Sequence, residues 1–361
     1  MVYILLFLAA CFLAYSNGAN DNFKGVATLF GSGTTNYKKA ILWATVTTSL
    51  GSVAAIYLAE ELVSNFSGKG LVPNELLLLP TFAIAIAIGA ALTVFIATKI
   101  GMPISTTHSL VGALFGSGVI AVGSEFNFEK LGNIFLMPLI VSPLMAAIGS
   151  YIIYIIFKSF RKSFKIDKAS KTTPNIARMQ MNAIVIENSE YTPNINLEVY
   201  TGKLFGISAQ KTLDTLHFIS SGIVSFARGL NDTPKIVGLL LIINSLDIKW
   251  SMLAVALTMA IGGLLNAKKV GLTMSTKITP MNSGQGFTAN LVTGLLVTTA
   301  SIHGMPVSTT HVSIGSIFGI GSASKKADYK MIGKIILSWA LTLPIAAIIS
   351  AFLYFLLTNF V

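Results

Sequence analysis

The sequence predicts an all-α polytopic membrane protein, built as two inverted-topology repeats with broken helices and re-entrant hairpins. Three observations carry that prediction. Of 361 residues, 53% are hydrophobic and only 11% are charged, with a mean hydropathy of +0.74. A soluble domain carries about a quarter charged residues, so the medium around most of this chain is lipid. Apolar windows of about twenty residues recur along it, long enough to cross a bilayer core. Two polar motifs each occur twice, in the same order and at nearly the same spacing.

Six apolar blocks fall in each half. They lie at about 2–18, 22–33, 41–60, 77–98, 103–121 and 132–157, then at about 212–229, 234–246, 250–267, 286–302, 307–322 and 332–358. The first block lacks the basic start of a signal peptide and reads as a retained membrane helix. Between the halves runs the hydrophilic stretch 158–211, which divides the chain into an N-terminal repeat 1–157 and a C-terminal repeat 212–361. Its first part, Lys158–Lys171, holds six basic residues against one acid, which places this central loop in the cytoplasm.

Loops around Lys38–Lys39, Lys268–Lys277 and Lys325–Lys334 are basic and side with it. Loops holding Glu60, Glu61, Glu75, Glu125 and Glu129 lean the other way. If the first two blocks of each half form one broken helix, each half makes five passes. An odd number turns the second half upside down. Both termini are then extracellular, in a multi-pass protein of the cell membrane. The 77–98 block is long enough to cross, whereas 286–302 and 307–322 are short and favour a hairpin.

The break in each first helix rests on SNGANDNFK and FARGLNDTPK. Gly18, Asn20, Asp21 and Lys24 recur as Gly229, Asn231, Asp232 and Lys235, 211 residues later. Gly, Asn and Asp favour turns, and Pro234 removes a backbone donor. An ionised Asp in the hydrocarbon zone is costly unless paired or hydrated. Unwinding there would free backbone carbonyls to join Asp and Asn oxygens in a cage for Na⁺ or another small cation. The plainer alternative is that each Asp pairs with its own Lys three residues on.

The second motif reads GMPISTTHSLVGALFG over 101–116 and GMPVSTTHVSIGSIFG over 304–319, with ten of sixteen positions identical. Ser105, Thr106 and Thr107, like Ser308, Thr309 and Thr310, follow a Pro and open an apolar segment. That is helix N-cap chemistry. A helix N-terminus presents free N–H groups and partial positive charge, a ready site for an oxyanion. Capping without any ligand is the plainer reading of one copy; two copies on hairpins entering from opposite sides would let the N-termini meet. Gly112 and Gly116, matched by Gly315 and Gly319, suit close helix packing.

His108 and His311 follow the hydroxyls, and the expected role is hydrogen bonding to the hairpin turn. A Ser–His hydrolase is disfavoured, since no acid lies nearby in sequence to orient the ring. No spacing suggests a transition-metal site, and a single cysteine, Cys11, excludes an intrachain disulfide. The net charge of +11 sits in a few loops and lacks the interleaved aromatics of a nucleic-acid surface.

With Gly18–Asp21, Gly229–Asp232 and the paired Pro-x-Ser-Thr-Thr-His segments in hand, the chain resembles the inorganic phosphate transporter (PiT) family. The resemblance covers both halves. It implies a secondary active carrier, not an enzyme, that imports inorganic phosphate with Na⁺ or H⁺ by alternating access. Na⁺ is the coupling ion it implies, with H⁺ as the alternative, and no cofactor. Carried onto this chain, it puts phosphate on Ser105, Thr106, Thr107, Ser308, Thr309, Thr310, Asp21 and Asp232. It puts cations on Asn20, Asp21, Asn231 and Asp232. Many members follow the Asn-Asp motif with small apolar residues; here Lys24 and Lys235 stand as charge partners. A sulfate or other oxyanion permease of the same family is the alternative, and a passive anion channel a more distant one. The size of the chain admits a homodimer.

Overall fold

In the computed structural model the chain is described at all residues except 175–193, 205, 244–245, 277, 279–280 and 361. The middle of the expected linker and Lys277 therefore lie outside the described residues. The N-terminal half comprises α1 (Val2–Asp21), α2 (Ala27–Gly31), α3 (Tyr37–Leu58), α4 (Glu60–Phe66), α5 (Asn74–Leu77), α6 (Pro80–Ile100), α7 (Thr106–Val122), α8 (Phe128–Lys130) and α9 (Met137–Ser163). The linker carries strands β1 (Asp167–Pro174), β2 (Asn194–Thr201), β3 (Lys203–Leu204) and β4 (Ile207–Ser208). The C-terminal half comprises α10 (Ala209–Val237), α11 (Ile248–Asn266), α12 (Lys268–Thr276), α13 (Ser283–Ile302), α14 (Thr309–Ser324) and α15 (Tyr329–Phe360).

Among the described residues, seven helical segments are long and apolar enough to cross a membrane, so the protein is an integral membrane protein. The second-half counterparts of α1, α6 and α7 are not among the seven; α10 carries the buried Arg, Asp and Lys residues that lower its hydropathy.

The two halves interlock rather than stand apart. Helix α1 packs on α11 and α3 on α10, while α7 packs on α15 and α14 on α9. Each of these contacts joins one half to the other, and each has its symmetry mate. Glycines set the contact distances. A Cβ on Gly18 would lie 1.9 Å from the Met259 carbonyl oxygen, and one on Gly229 would lie 2.0 Å from that of Thr48. Further along, Gly262 abuts the Tyr15 carbonyl and Gly51 that of Phe226. Over longer stretches Gly18 and Asn22 of α1 meet Met259 and Gly263 of α11, and Trp43, Thr48 and Ser52 of α3 meet Gly222, Ser225 and Thr233 of α10, so both pairs run parallel. The Gly112/Gly116 pair meets Leu343 and Ala347, and Gly315/Gly319 meets Pro143 and Ala147, so these helices run parallel. The glycine pairs are thus the packing seams the sequence suggested. The main apolar cluster draws on both halves, from Leu13 and Val111 to Leu230 and Met259.

Each Gly-Met-Pro stretch ends one helix and re-aims the chain toward the next. Gly101 and Gly304 adopt φ of +77° and +65°, a left-handed conformation that glycine reaches without a Cβ penalty. The Met102 and Met305 amides donate back to the carbonyls of Ala97 and Ala300, closing both helices in the same way. The turns themselves lie apart: Thr273 donates to the Gly101 carbonyl, while Asn65 donates to that of Gly304. From there each chain runs extended through proline, and α7 and α14 begin beside each other. Thr107 donates to the Val307 carbonyl at 3.3 Å and Thr310 to that of Ile104 at 3.0 Å.

The expected helix breaks divide into one as placed and one displaced. After Asp21, α1 gives way to a 3₁₀ turn at Lys24–Val26 before α2 resumes. Its counterpart α10 stays α-helical straight through Gly229–Asp232 and past Pro234 to Val237, then tightens into a 3₁₀ turn at Gly238–Leu240. Proline's fixed φ is compatible with a helix, and it removes only the hydrogen bond to the Leu230 carbonyl. Ile236 stands where the first copy has Gly25, a weaker helix former. The unwound carbonyl cage expected at Asp232 is therefore absent.

Helix α9 reaches Ser163 and α10 starts at Ala209, with the linker strands docked on the second half. Tyr200 donates to the N-cap residue Asn282 of α13, and Glu198 accepts from Lys168, Lys326 and Asn282. Partial burial pushes the Glu198 carboxyl up, but the hydrogen bonds and charges of Lys168 and Lys326 outweigh it and bring it down to about 2.

Gly229→Ala should lower the melting temperature in detergent, since overpacking a tight contact costs about 1–3 kcal/mol. Gly333→Ala, where a Cβ meets nothing within 4 Å, should leave it unchanged or raise it.

Candidate functional site

The paired motifs meet at the centre of the interlocked halves. Ser105 and Ser308 cap α7 and α14, accepting from the backbone N–H of His108 at 3.0 Å and of His311 at 3.3 Å. Each cap is worth about 1 kcal/mol and leaves the other first-turn N–H groups free. The extended segments before them are pinned by the two asparagines. Asn20 donates to Thr98 and the Met102 carbonyl and accepts from the Ile104 amide. Asn231 donates to the Val307 carbonyl at 3.2 Å and accepts from Ser301. Thr98 and Ser301 are themselves 203 residues apart, so the two clamps are copies. Both asparagine side chains hold hairpins, and Asn231 also donates to Asp232 Oδ1 at 3.1 Å.

The lysines close the symmetry. Lys24 Nζ donates to Asp21 Oδ1 at 2.5 Å, to the Ile104 carbonyl at 2.7 Å and to Thr310 Oγ1 at 2.5 Å. Lys235 Nζ donates to Thr107 Oγ1 and to the Val307 carbonyl, both at 2.7 Å, and stands 3.5 Å from Asp232 Oδ1. Each lysine thus ties its own half's aspartate and hairpin to a threonine of the other half. The local Asp–Lys pairs weighed from the sequence are present in both copies.

One position breaks the symmetry. Asn17 and Arg228 are 211 residues apart and so equivalent, yet one is neutral and one charged. Arg228 is among the largest fully buried side chains. It donates to Asn17 Oδ1 at 2.6 Å and to Asn22 Oδ1 at 3.0 Å. Its Nε has no hydrogen-bond partner among the described residues and lies 3.6 Å from Asp232 Oδ2. Asn17 in turn donates to Thr106 and to Asp232 Oδ2. Sequence reasoning missed both residues because the motif was framed from Gly18 onward; extending the repeat by one residue would have exposed them.

Three cations and two carboxylates, in their ordinary charge states, leave one net positive charge here. All five residues are 4% exposed or less, and the six Ser/Thr residues are 5% or less, so the site is closed to solvent on both sides. The partial positive ends of α7 and α14 add to that charge. The histidines correct an expectation. Instead of bonding the turns, their rings lie 4.3 Å apart at a tilt of 43°, and His311 stacks on Trp339. His108 Nδ1 and His311 Nε2 have no partner among the described residues, because the turns lie at the far ends of the extended segments. His217 is buried against Thr28 and His303 bonds the Thr299 carbonyl. No group of three or more metal-ligating side chains occurs among the described residues.

The structure therefore brings Ser105, Thr106, Thr107, Ser308, Thr309, Thr310, Asp21, Asp232, Lys24 and Lys235 to one place, with Asn20 and Asn231 behind the hairpins. A buried, positively charged site between interlocked repeats of membrane helices defines a membrane transport protein. The model of the phosphate transporter family matches residues 17–350, and the chain belongs to that family. Similar proteins include one of Haemophilus influenzae assigned by name to phosphate permeases, 30% identical over 96% of this chain and 94% of that one. Another such protein, from Thermococcus kodakarensis, is 29% identical over 95% and 94%. A Bacillus subtilis protein named for low-affinity inorganic phosphate transport is 26% identical over 98% and 96%. A solved structure named as the sodium-dependent phosphate transporter shares the fold with a TM-score of 0.80 and 24% identity, over the whole of both chains. The chain is accordingly a phosphate-family transporter and not an enzyme.

Asn20→Ala and Asn231→Ala should each destabilise the folded protein by about 1–3 kcal/mol, because each leaves buried hairpin groups without partners. Thermal melts of the purified variants check this. Asn65→Ala, at a partly exposed turn, should cost less.

Proposed function

We propose that this chain imports inorganic phosphate together with a cation, Na⁺ or H⁺, by alternating access, with the substrate held between the two repeats. The observation that carries this reading is the buried excess of one positive charge between two helix N-termini. An uncompensated buried charge is costly, and an oxyanion is the ligand that relieves it. Dihydrogen phosphate carries one negative charge and so matches the excess. It also brings O–H donors for carboxylate and carbonyl oxygens, which sulfate lacks.

In this reading the hydroxyls of Ser105, Thr106, Thr107, Ser308, Thr309 and Thr310 and the free N–H groups of α7 and α14 hold the phosphate. Thr107 and Thr310 exchange their lysine contacts for substrate. Asp21 and Asp232 offset most of the lysine and arginine charge, so a coupling cation on either carboxylate strengthens the hold on phosphate, and by linkage cation and phosphate raise each other's affinity equally. Sodium is supported as a coupling ion by the name of the structurally similar transporter. Because α7, α9, α14 and α15 are exchanged between the halves, the moving bodies in this reading are bundles drawn from both repeats.

Uptake of labelled phosphate into proteoliposomes, with Na⁺ and H⁺ gradients imposed separately, tests the reading. Uphill accumulation should follow at least one gradient, and excess sulfate should compete poorly. Asp21→Asn and Asp232→Asn, normalised to folded protein, should each abolish gradient-driven accumulation. Intact accumulation in both variants would remove these residues from the site, and uptake that only equilibrates phosphate would indicate a channel.

A further inference from the structure

Each lysine ammonium sits in a complete set of oxygens. Around Lys24 Nζ these are a carboxylate, a backbone carbonyl and a threonine hydroxyl at 2.5–2.7 Å. Around Lys235 Nζ the same three kinds recur, with the carboxylate at 3.5 Å. An ammonium has three donors, so Lys24 spends all of them on this set. Carboxylate, carbonyl and hydroxyl oxygens are also the ligands that hard metal cations take. Lys24 is 4% exposed and Lys235 is 1% exposed, so neither is a snorkelling surface residue. A second cation in either cage would sit within contact distance of a fixed like charge.

We propose that the ε-ammonium groups of Lys24 and Lys235 are resident cations that occupy, in both repeats, the oxygen cages a soluble cation would otherwise fill. Phosphate then binds without Na⁺, and the proton is the remaining coupling cation. This inference rests on the reading that phosphate binds between the Ser-Thr-Thr segments. The tether also explains a feature of the geometry. Each ammonium bridges to a threonine of the opposite repeat, as a bound ion would, and remains covalently attached to its own repeat when the ligand leaves.

The test is phosphate binding to the purified full chain in Na⁺ or choline medium at fixed pH and ionic strength, alongside thermal melts in both salts. Wild-type affinity should differ by less than about twofold between the salts, because a cation that finds no cage shifts nothing. Lys24→Ala and Lys235→Ala should bind phosphate more weakly in choline. Na⁺ or ammonium should restore affinity in them by at least about fivefold and raise their melting temperatures, while leaving that of the wild type unchanged. Wild-type affinity that climbs about fivefold or more with Na⁺ overturns the inference and leaves the proposed function standing. So do folded variants whose binding and melting ignore both cations. Should one variant fail to fold, the wild-type titration and the other variant still decide. A wild type that binds no phosphate in either salt removes the proposed function, and the melts then judge the cages alone.

Discussion

The ion pairs between Asp21 and Lys24, and between Asp232 and Lys235, are the constraint around which the structure is organised. Charges taken out of water carry a penalty of several kcal/mol each unless neighbours compensate them. Here the compensation is shared: the hairpin carbonyls of Ile104 and Val307 and the hydroxyls of Thr310 and Thr107 complete both ammonium shells. Those oxygens are available only because α7 and α14 start beside each other in the interior. That placement depends on Gly101 and Gly304 ending the preceding helices, and on Asn20 and Asn231 holding the extended segments.

The interlocking of the halves follows from the same requirement. A hairpin that must contact the lysine of the other half cannot belong to an independently folded domain. The backbone contacts at Gly18, Gly229, Gly112 and Gly315 bring the exchanged helices close enough to seal the charges from lipid. Against this symmetry, the substitution of Arg228 for the equivalent of Asn17 supplies the one charge left over. An otherwise balanced pair of Asp–Lys sites thereby becomes a site with a preference for anions.

Much of this was legible because repetition can be read without a structure. The 203-residue offset located the capping serines and threonines, and the 211-residue offset located the Asp–Lys pairs. Charge bias in the loops then gave the inversion. What escaped were features set by tertiary contact. Pro234 and the Gly-Leu-Asn-Asp run look like a helix break, yet α10 continues because packing outweighs one lost hydrogen bond. Asn20 and Asn231 also pin hairpin groups some eighty residues away in one half and seventy-six in the other, a role the motif alone does not show. His108 and His311 look tied to the turns, yet the extended segments carry them to the interface, where they meet each other.

The claim on which the account depends most is that the surplus charge on Arg228 holds phosphate. It is tested most directly by equilibrium phosphate binding to purified, folded Arg228→Gln and Arg228→Lys. The account predicts at least about a tenfold loss of affinity in the glutamine variant, a difference of ~1.4 kcal/mol, with most of it recovered by lysine. Wild-type affinity in a folded Arg228→Gln protein would contradict it.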